Sequence, residues 1–219
     1  MNENERIALI AGASGLIGGF CLQDLLDEPS YARVVSLVRK PGVFSHPKLT
    51  EMVVDFDQLA SLPPVPCHDV FCTIGTTIKT AGSQSAFRKV DFGIPAALAG
   101  WTQRGGARQF LVVSSVGASP TTGNFYLKTK GQMEEAVQRA GFSSVHIFRP
   151  SILTGPREEN RPGEGIAIAL AKAFGFLMIG PLRKYRAIKA ASVARAMVHI
   201  AVKNTPGKHI YHYDDITHA

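Results

Sequence analysis

Gly12, Gly15 and Gly18 stand at intervals of three residues directly behind an apolar run, "RIALIAGA", and lead into a helical period that begins near Leu16. Few sequence features constrain a chain as tightly. A strand that ends in such a turn and continues as a helix needs glycine for the bend. It also lets backbone approach a ligand closely and aims the unpaired N–H groups of the helix start at an anion. The ligand this arrangement suits is the pyrophosphate of a dinucleotide, provided the rest of the chain continues in the same alternation.

The alternation does continue. "RIALIAGA", "RVVSLVR", "EMVVDF", "DVFCTIG" and "RQFLVVSS" read as strands, separated by helical periods from about Leu16 to Leu26 and from Ser83 to Arg104. A further helix opens near Thr122 and is followed by the strand "SSVHIFRPSIL". These strands are apolar on both faces, as strands between two helix layers must be, and their connections are short. The fold class expected is α/β, a doubly wound parallel sheet. Beyond Pro150 the pattern loosens through "TGPREENRPGEG", then resumes with "IAIALAKAFGFLMIGPL", "YRAIKAASVARAMVHIAV" and "KHIYHYDDI". Residues 1–219 are therefore read as one domain, in which residues from about 150 to 219 add a small C-terminal substrate lobe over the carboxyl edge of the sheet.

Composition narrows the class of function. A chain of 219 residues can bury a real core. The apolar run Ile166 to Leu182 contains Lys172 and ends in Gly-Pro, too short and interrupted for a bilayer span. Cys21, Cys67 and Cys72 are odd in number and lack paired spacing, which points to reduced thiols. With a polar start that lacks a signal peptide's basic region, this predicts a cytoplasmic protein. The formal charge of +7 is spread along the chain with no nucleic-acid-binding module, so no nucleic acid is expected, and an anionic cofactor accounts for part of the excess.

At the end of the second strand, where an NAD enzyme usually offers a carboxylate to the ribose 2′-hydroxyl, the chain has Arg39 and Lys40. A guanidinium there binds a 2′-phosphate with charge-assisted hydrogen bonds, so the cofactor expected is NADP(H). Asp55 and Phe56 end the third strand where an adenine would lie. Ile74 and Gly75, in "CTIGTT", end the fourth beside the expected pyrophosphate and ribose.

The fifth strand delivers Ser114 and Ser115 to the same carboxyl edge, and the next helix carries Tyr126 and Lys130, four residues apart and so on one face. Reduction of a carbonyl by hydride transfer leaves an alkoxide that needs a proton. A phenol can supply it, and a neighbouring ammonium eases its ionisation. A serine hydroxyl would hold the carbonyl in line. Ser115 is preferred by its place before "VG", with Ser114 left open.

These residues resemble the short-chain dehydrogenase/reductase superfamily, and within it the atypical NAD(P)-binding members similar to the Tat-interacting protein oxidoreductases. The likeness spans nearly the whole chain and rests on "GASGLIGG", "VVDFD", "GTTIKTAGSQSAFRKVD", "LVVSSVGA", "FYLKTKGQMEE" and "FRPSILTGPREENRPGE". It implies a Rossmann fold with Ser14, Gly15, Leu16 and Ile17 at the pyrophosphate, and Arg39 with Lys40 at the 2′-phosphate. It further implies Ile74 and Gly75 as cofactor contacts, Tyr126 as the active residue, Lys130 as the ribose-binding lysine, and Leu153 and Arg161 at the cofactor beyond the sixth strand. The chain departs from the wider superfamily at Asp91, where many members have asparagine, and in the small segment after Pro150.

Two other clusters read as structural. Cys67, His68, Asp69 and Cys72 lie on or before a buried strand whose alternating faces scatter them, so no metal site is expected. His209, His212, Asp214, Asp215 and His218 fit a solvated edge strand with an exposed end. The function expected is an NADP(H)-dependent oxidoreductase acting on a small carbonyl or related molecule, with Tyr126 as proton donor. The alternative is an NADP(H)-sensing regulatory or scaffold protein with little turnover. The substrate is unspecified, and a homodimer or a protein partner stays open.

Overall fold

The computed structural model describes residues 6–42, 44–155 and 179–219. Its centre is a seven-stranded sheet formed by β1 (Arg6–Ala11), β2 (Tyr31–Val38), β3 (Leu49–Val53), β4 (Asp69–Cys72), β5 (Gln109–Val113), β6 (Ser144–Phe148) and β9 (Gly207–Tyr211). The order is β3-β2-β1-β4-β5-β6-β9 and every pairing is parallel. The order reverses between β1 and β4, which opens the crevice in which such sheets bind ligands at their carboxyl ends. The expected doubly wound α/β fold is therefore the fold observed.

Successive residues of β1 show why both faces need helices. Ala8 and Ile10 point into one layer, Leu9 and Ala11 into the other, and all four are fully buried. The first layer is made by α1 (Leu16–Asp27) and α6 (Ala190–Lys203), through Cys21, Leu25, Val193 and Met197. The second is made by α4 (Ile94–Arg104) and α5 (Phe125–Arg139), through Leu98, Trp101, Met133 and Val137. Two short helices, α2 (Ile78–Ala81) and α3 (Gln84–Arg88), follow β4, and α3 runs through a π-helical turn, Lys89–Gly93, into α4. The helix read from Ser83 to Arg104 is thus a bent composite capped by the Ser83 hydroxyl, which accepts the Ala86 N–H.

The segment after Pro150 divides. β7 (Leu153–Thr154) and β8 (Ile188–Lys189) form a two-stranded parallel piece beside the sheet. Residues 190–211 return to the main body as α6 and β9, and α7 (Tyr213–Thr217) closes the chain. Most of the apolar run from Ile166 and the whole of "REENRPGEG" lie outside the described residues. No helix among the described residues is long and apolar enough to cross a membrane.

A buried polar network crosses the amino edge of the sheet, far from the crevice. Asp69 accepts from Arg6 Nε at 2.6 Å, from the Tyr31 hydroxyl at 2.8 Å and from Gln109 Nε2 at 2.8 Å. Arg6 and Gln109 also donate to the Ala201 carbonyl, tying the end of α6 to the sheet. The Gln109 amide nitrogen is committed to these acceptors, so its oxygen faces His146 Nε2 at 3.2 Å, and His146 Nδ1 meets the Tyr211 hydroxyl at 2.9 Å. This fixes His146 as the neutral Nε2–H tautomer, with Nδ1 accepting from Tyr211. Cys67 and Cys72 are buried free thiols, pushed up by burial to about 12 and about 11, so they are inert core residues.

Burial, and then the adjacent His209, lower His146 from an ordinary 6.5 to about 4. Unfolding restores the ordinary value, so between these limits the unfolded chain binds more protons than the folded one. Stability is complete above pH 6.5 and falls as the pH drops toward 4. The loss at its lower end is expected to reach about 3 kcal/mol in urea unfolding, and His146→Gln should flatten the slope across this window.

Candidate active site

The crevice starts where β1 meets α1. Gly12 sits at φ +98°, in the left-handed region, and a Cβ there would fall 2.8 Å from the Thr73 and Ile74 backbone. A Cβ on Gly18 would fall 2.0 Å from the Gly12 carbonyl oxygen. The start of α1 is therefore pressed against the ends of β1 and β4 with no room for a side chain. Gly15 caps α1 with no side-chain hydrogen bond to its first N–H groups, and Ser14 and Gly15 are exposed at that mouth. A cradle lined by backbone at a helix amino terminus has the shape and polarity for a pyrophosphate.

The other strand ends border this cradle. Arg39 and Lys40, both exposed, follow β2 immediately. Asp55 is exposed and accepts from Asp57 N–H at 2.9 Å, turning the chain after β3, while Phe56 packs against the second core layer. Ile74 packs there as well, and Gly75 is exposed beyond β4. Leu153, in β7, packs on the first layer, and the neighbouring Gly155 lies against Leu16. The β7–β8 piece thus reaches the start of α1. Arg161 lies outside the described residues.

The helix α5 brings Tyr126 and Lys130 to the same edge. Its first turn is capped by Asn124, whose side chain accepts the Leu127 N–H at 3.0 Å, so the helix opens three residues later than the sequence pattern suggested. The Tyr126 ring is held against buried Phe87, with centroids 5.5 Å apart. Lys130 Nζ lies 2.7 Å from Asp91 Oδ1, with side chains 6% and 0% exposed. Burial works against the Lys130 charge, but Asp91 and then Tyr126 outweigh it, so Lys130 ends above the ordinary lysine value. It is a cation throughout the neutral range.

Ser114 and Ser115 follow β5 directly. The Ser114 N–H donates to the Phe148 carbonyl at 2.7 Å, while its buried hydroxyl has no partner among the described residues. The Ser115 hydroxyl makes one long contact, 3.4 Å, to the Val116 carbonyl. Both hydroxyls keep hydrogen-bonding capacity for a ligand.

Three features of the site escaped the sequence reading. Asp91, at the position where many superfamily members have asparagine, is the counter-ion of Lys130. Glu134, one turn beyond Lys130, accepts from Arg149 Nε at 2.9 Å and Nη2 at 2.5 Å, a two-point clamp between α5 and the end of β6. Gly131 is where the helix meets the loop before it: a Cβ there would fall 2.3 Å from the Pro120 nitrogen and the Ser119 carbonyl carbon. The i, i+4, i+8 spacing of Tyr126, Lys130 and Glu134 was the available signal for the clamp, but nothing local marks its distant partner.

No family model matches the chain. Protein fmp52, mitochondrial, of Aspergillus clavatus is 36% identical over 211 residues, spanning 92% of this chain and 88% of that protein. Protein HTATIP2 of Rattus norvegicus is 33% identical over 204 residues, spanning 91% of this chain and 82% of that protein. The chain belongs to the family of HTATIP2 and fmp52. Among solved structures, MoeE5 in complex with UDP-glucose and NAD superposes with a TM-score of 0.68 at 17% identity, over 93% of this chain and 74% of that one. The Bordetella bronchiseptica enzyme WbmH in complex with NAD+ superposes with a TM-score of 0.67 at 17% identity, over 95% of this chain and 75% of that one. At such identities these two support the Rossmann-type fold alone. Fungal members of the HTATIP2 and fmp52 family are named as mitochondrial proteins, which overturns the expectation of a cytoplasmic one. Reduced thiols and a polar start had carried that expectation, and neither feature tells one reducing compartment from another.

The contact at Gly131 yields a direct test of how α5 is seated. Gly131→Ala drives a Cβ into backbone that cannot rotate away, so urea unfolding should show a loss of at least about 1 to 3 kcal/mol. Lys128→Ala, on the exposed side of the same helix, should stay within about 0.5 kcal/mol of the parent.

Proposed function

We propose that the protein is an NADP(H)-dependent oxidoreductase that transfers a hydride to or from a small carbonyl or related molecule, with Tyr126 as proton donor. The observation that carries the reading is that Tyr126 and Lys130 lie at the same carboxyl edge as a glycine-lined helix start that admits no side chain. NAD in the two solved neighbours supports a nicotinamide dinucleotide as the class of cofactor. Arg39 and Lys40, where an NAD enzyme usually presents a carboxylate, support NADP(H) within that class.

In this reading Ser14, Gly15, Leu16 and Ile17 hold the pyrophosphate through backbone at the start of α1, with Gly12 and Gly18 keeping the cradle open. Arg39 and Lys40 bind the 2′-phosphate, and Asp55 and Phe56 border the adenine. Ile74, Gly75 and Leu153 line the middle of the crevice. Arg161 is carried over from the family resemblance alone. When bound, the dinucleotide supplies or takes up the hydride. Ser115, or Ser114 beside it, donates a hydrogen bond that orients the substrate oxygen. Tyr126 gives that oxygen the proton it needs as it becomes a hydroxyl, and Phe87 keeps the phenol in place. Lys130 holds its charge behind the phenol and offers N–H donors to the ribose. The β7–β8 piece serves as the substrate-side wall.

The test has two arms. Titration with NADPH and NADH should show a preference for NADPH, and Arg39→Ser should weaken NADPH binding by about tenfold or more while leaving NADH nearly unchanged. In a panel of carbonyl substrates followed by NADPH oxidation, Tyr126→Phe should lower turnover by about 10² to 10⁴ with NADPH affinity retained. Tight NADPH binding with no oxidation across the panel would favour the sensing role over the catalytic one.

A further inference from the structure

The buried carboxylate of Asp91 has no part in that scheme, yet it is the group closest to the machinery. Its Oδ1 lies 2.7 Å from Lys130 Nζ, and its Oδ2 accepts the Thr76 N–H at 2.8 Å. A Cβ on Gly75 would fall 3.3 Å from that Oδ1 and 3.6 Å from that Nζ, so the chain after β4 is drawn in around the pair. Asp91 occupies the π-helical turn Lys89–Gly93, a local widening of the helix of the kind found at functional sites. The turn lets a side chain from the α3–α4 composite reach both the loop after β4 and the face of α5 that carries Tyr126.

We infer that Asp91 is a positioning residue that holds Lys130 as a charge-balanced pair, and so limits how far Lys130 draws the proton out of Tyr126. The inference rests on the oxidoreductase reading and adds to it the group that tunes the proton donor. An unpaired ammonium beside a phenol draws out its proton. An ammonium with a carboxylate 2.7 Å away presents a dipole instead, whose field falls off faster with distance than that of a single charge. The titratable groups acting on Lys130 are Asp91 from the π-helical turn, Tyr126 from its own helix and Cys72 from the end of β4. Cys72 is a buried thiol raised to about 11 by burial, so it is neutral and adds no charge at neutral pH. The side chain packed on the Tyr126 ring, Phe87, is apolar. Asp91 is thus the group that decides how much of the Lys130 charge reaches the phenol.

The experiment reads the Tyr126 proton directly and needs neither substrate nor cofactor. Protein labelled with ¹³C at the tyrosine ζ carbon is titrated by NMR, and Tyr126 is assigned by its loss in Tyr126→Phe. In Asp91→Asn, which keeps an oxygen for the Thr76 N–H, the Tyr126 midpoint should move down by about one pH unit or more from the parent. An unmoved or raised midpoint in folded Asp91→Asn overturns the inference. The double variant Asp91→Asn/Lys130→Gln provides the complementary measurement and covers the case in which Asp91→Asn alone fails to fold, because it removes both charges together and leaves no buried ion unpaired. Its Tyr126 midpoint should lie within about half a pH unit of the parent. A rise of more than about one pH unit would mean that Lys130 acts as an unbalanced cation, and the inference falls. A protein that binds NADPH without turnover still gives the Asp91→Asn shift, so failure of the oxidoreductase reading and failure of this charge balance are told apart.

Discussion

The backbone contact between the start of α1 and the ends of β1 and β4 sets the geometry on which the site depends. With Cβ positions on Gly12 and Gly18 occupied by Thr73, Ile74 and the Gly12 carbonyl, α1 has one place to sit. That place puts its N–H groups at the point where the sheet order reverses. The turn after β4 is held against the same helix start, so its continuation, Gly75 to Thr77, comes to lie between α1 and the Asp91–Lys130 pair. The close packing of one βα turn thereby brings the glycine-lined helix start and the Asp91–Lys130 pair into register.

Two of the buried ionic systems lie at opposite edges of the sheet and differ in character. At the amino edge Asp69 is surrounded by donors from Arg6, Tyr31 and Gln109, and these donors also satisfy a helix carbonyl. A carboxylate so fully bonded recovers much of its desolvation cost, and the network, carried on through His146 and Tyr211, locks α6 and six strands together. At the carboxyl edge the Asp91–Lys130 pair is more sparsely bonded, and Lys130 feels the Tyr126 phenol of its own helix.

The sheet, the helix order and the glycine cradle were legible in the sequence, because apolar periodicity and glycine spacing record local geometry. Tyr126 and Lys130 were legible as a pair for the same reason: four residues on a helix is one turn. What was not legible depends on distant residues meeting. Asp91 reaches Lys130 across 39 positions, Arg149 reaches Glu134 across 15 positions and two elements, and nothing in "FRKVDFG" announces a π-helical turn. The seventh strand was legible as a solvated edge strand, and β9 is the edge strand of the sheet, but its pairing with the distant β6 is again a meeting of residues that no local pattern records.

The face of α5 shows how one helix turns this architecture into chemistry. Tyr126, Lys130 and Glu134 succeed one another at single-turn intervals, and each is held by a different neighbour: Phe87 of α3, Asp91 of the π-helical turn and Arg149 at the end of β6. Gly131, on the adjoining stripe, sets the helix against the Ser119–Pro120 backbone. A rotation of α5 by one residue, about 100°, would break all four contacts at once. Its register is thus over-determined, which fixes where the Tyr126 phenol stands. The clamp to Arg149 also ties α5 to the strand that leads into β7, so a shift of the β7–β8 piece would be passed through Glu134 to the helix that carries Tyr126.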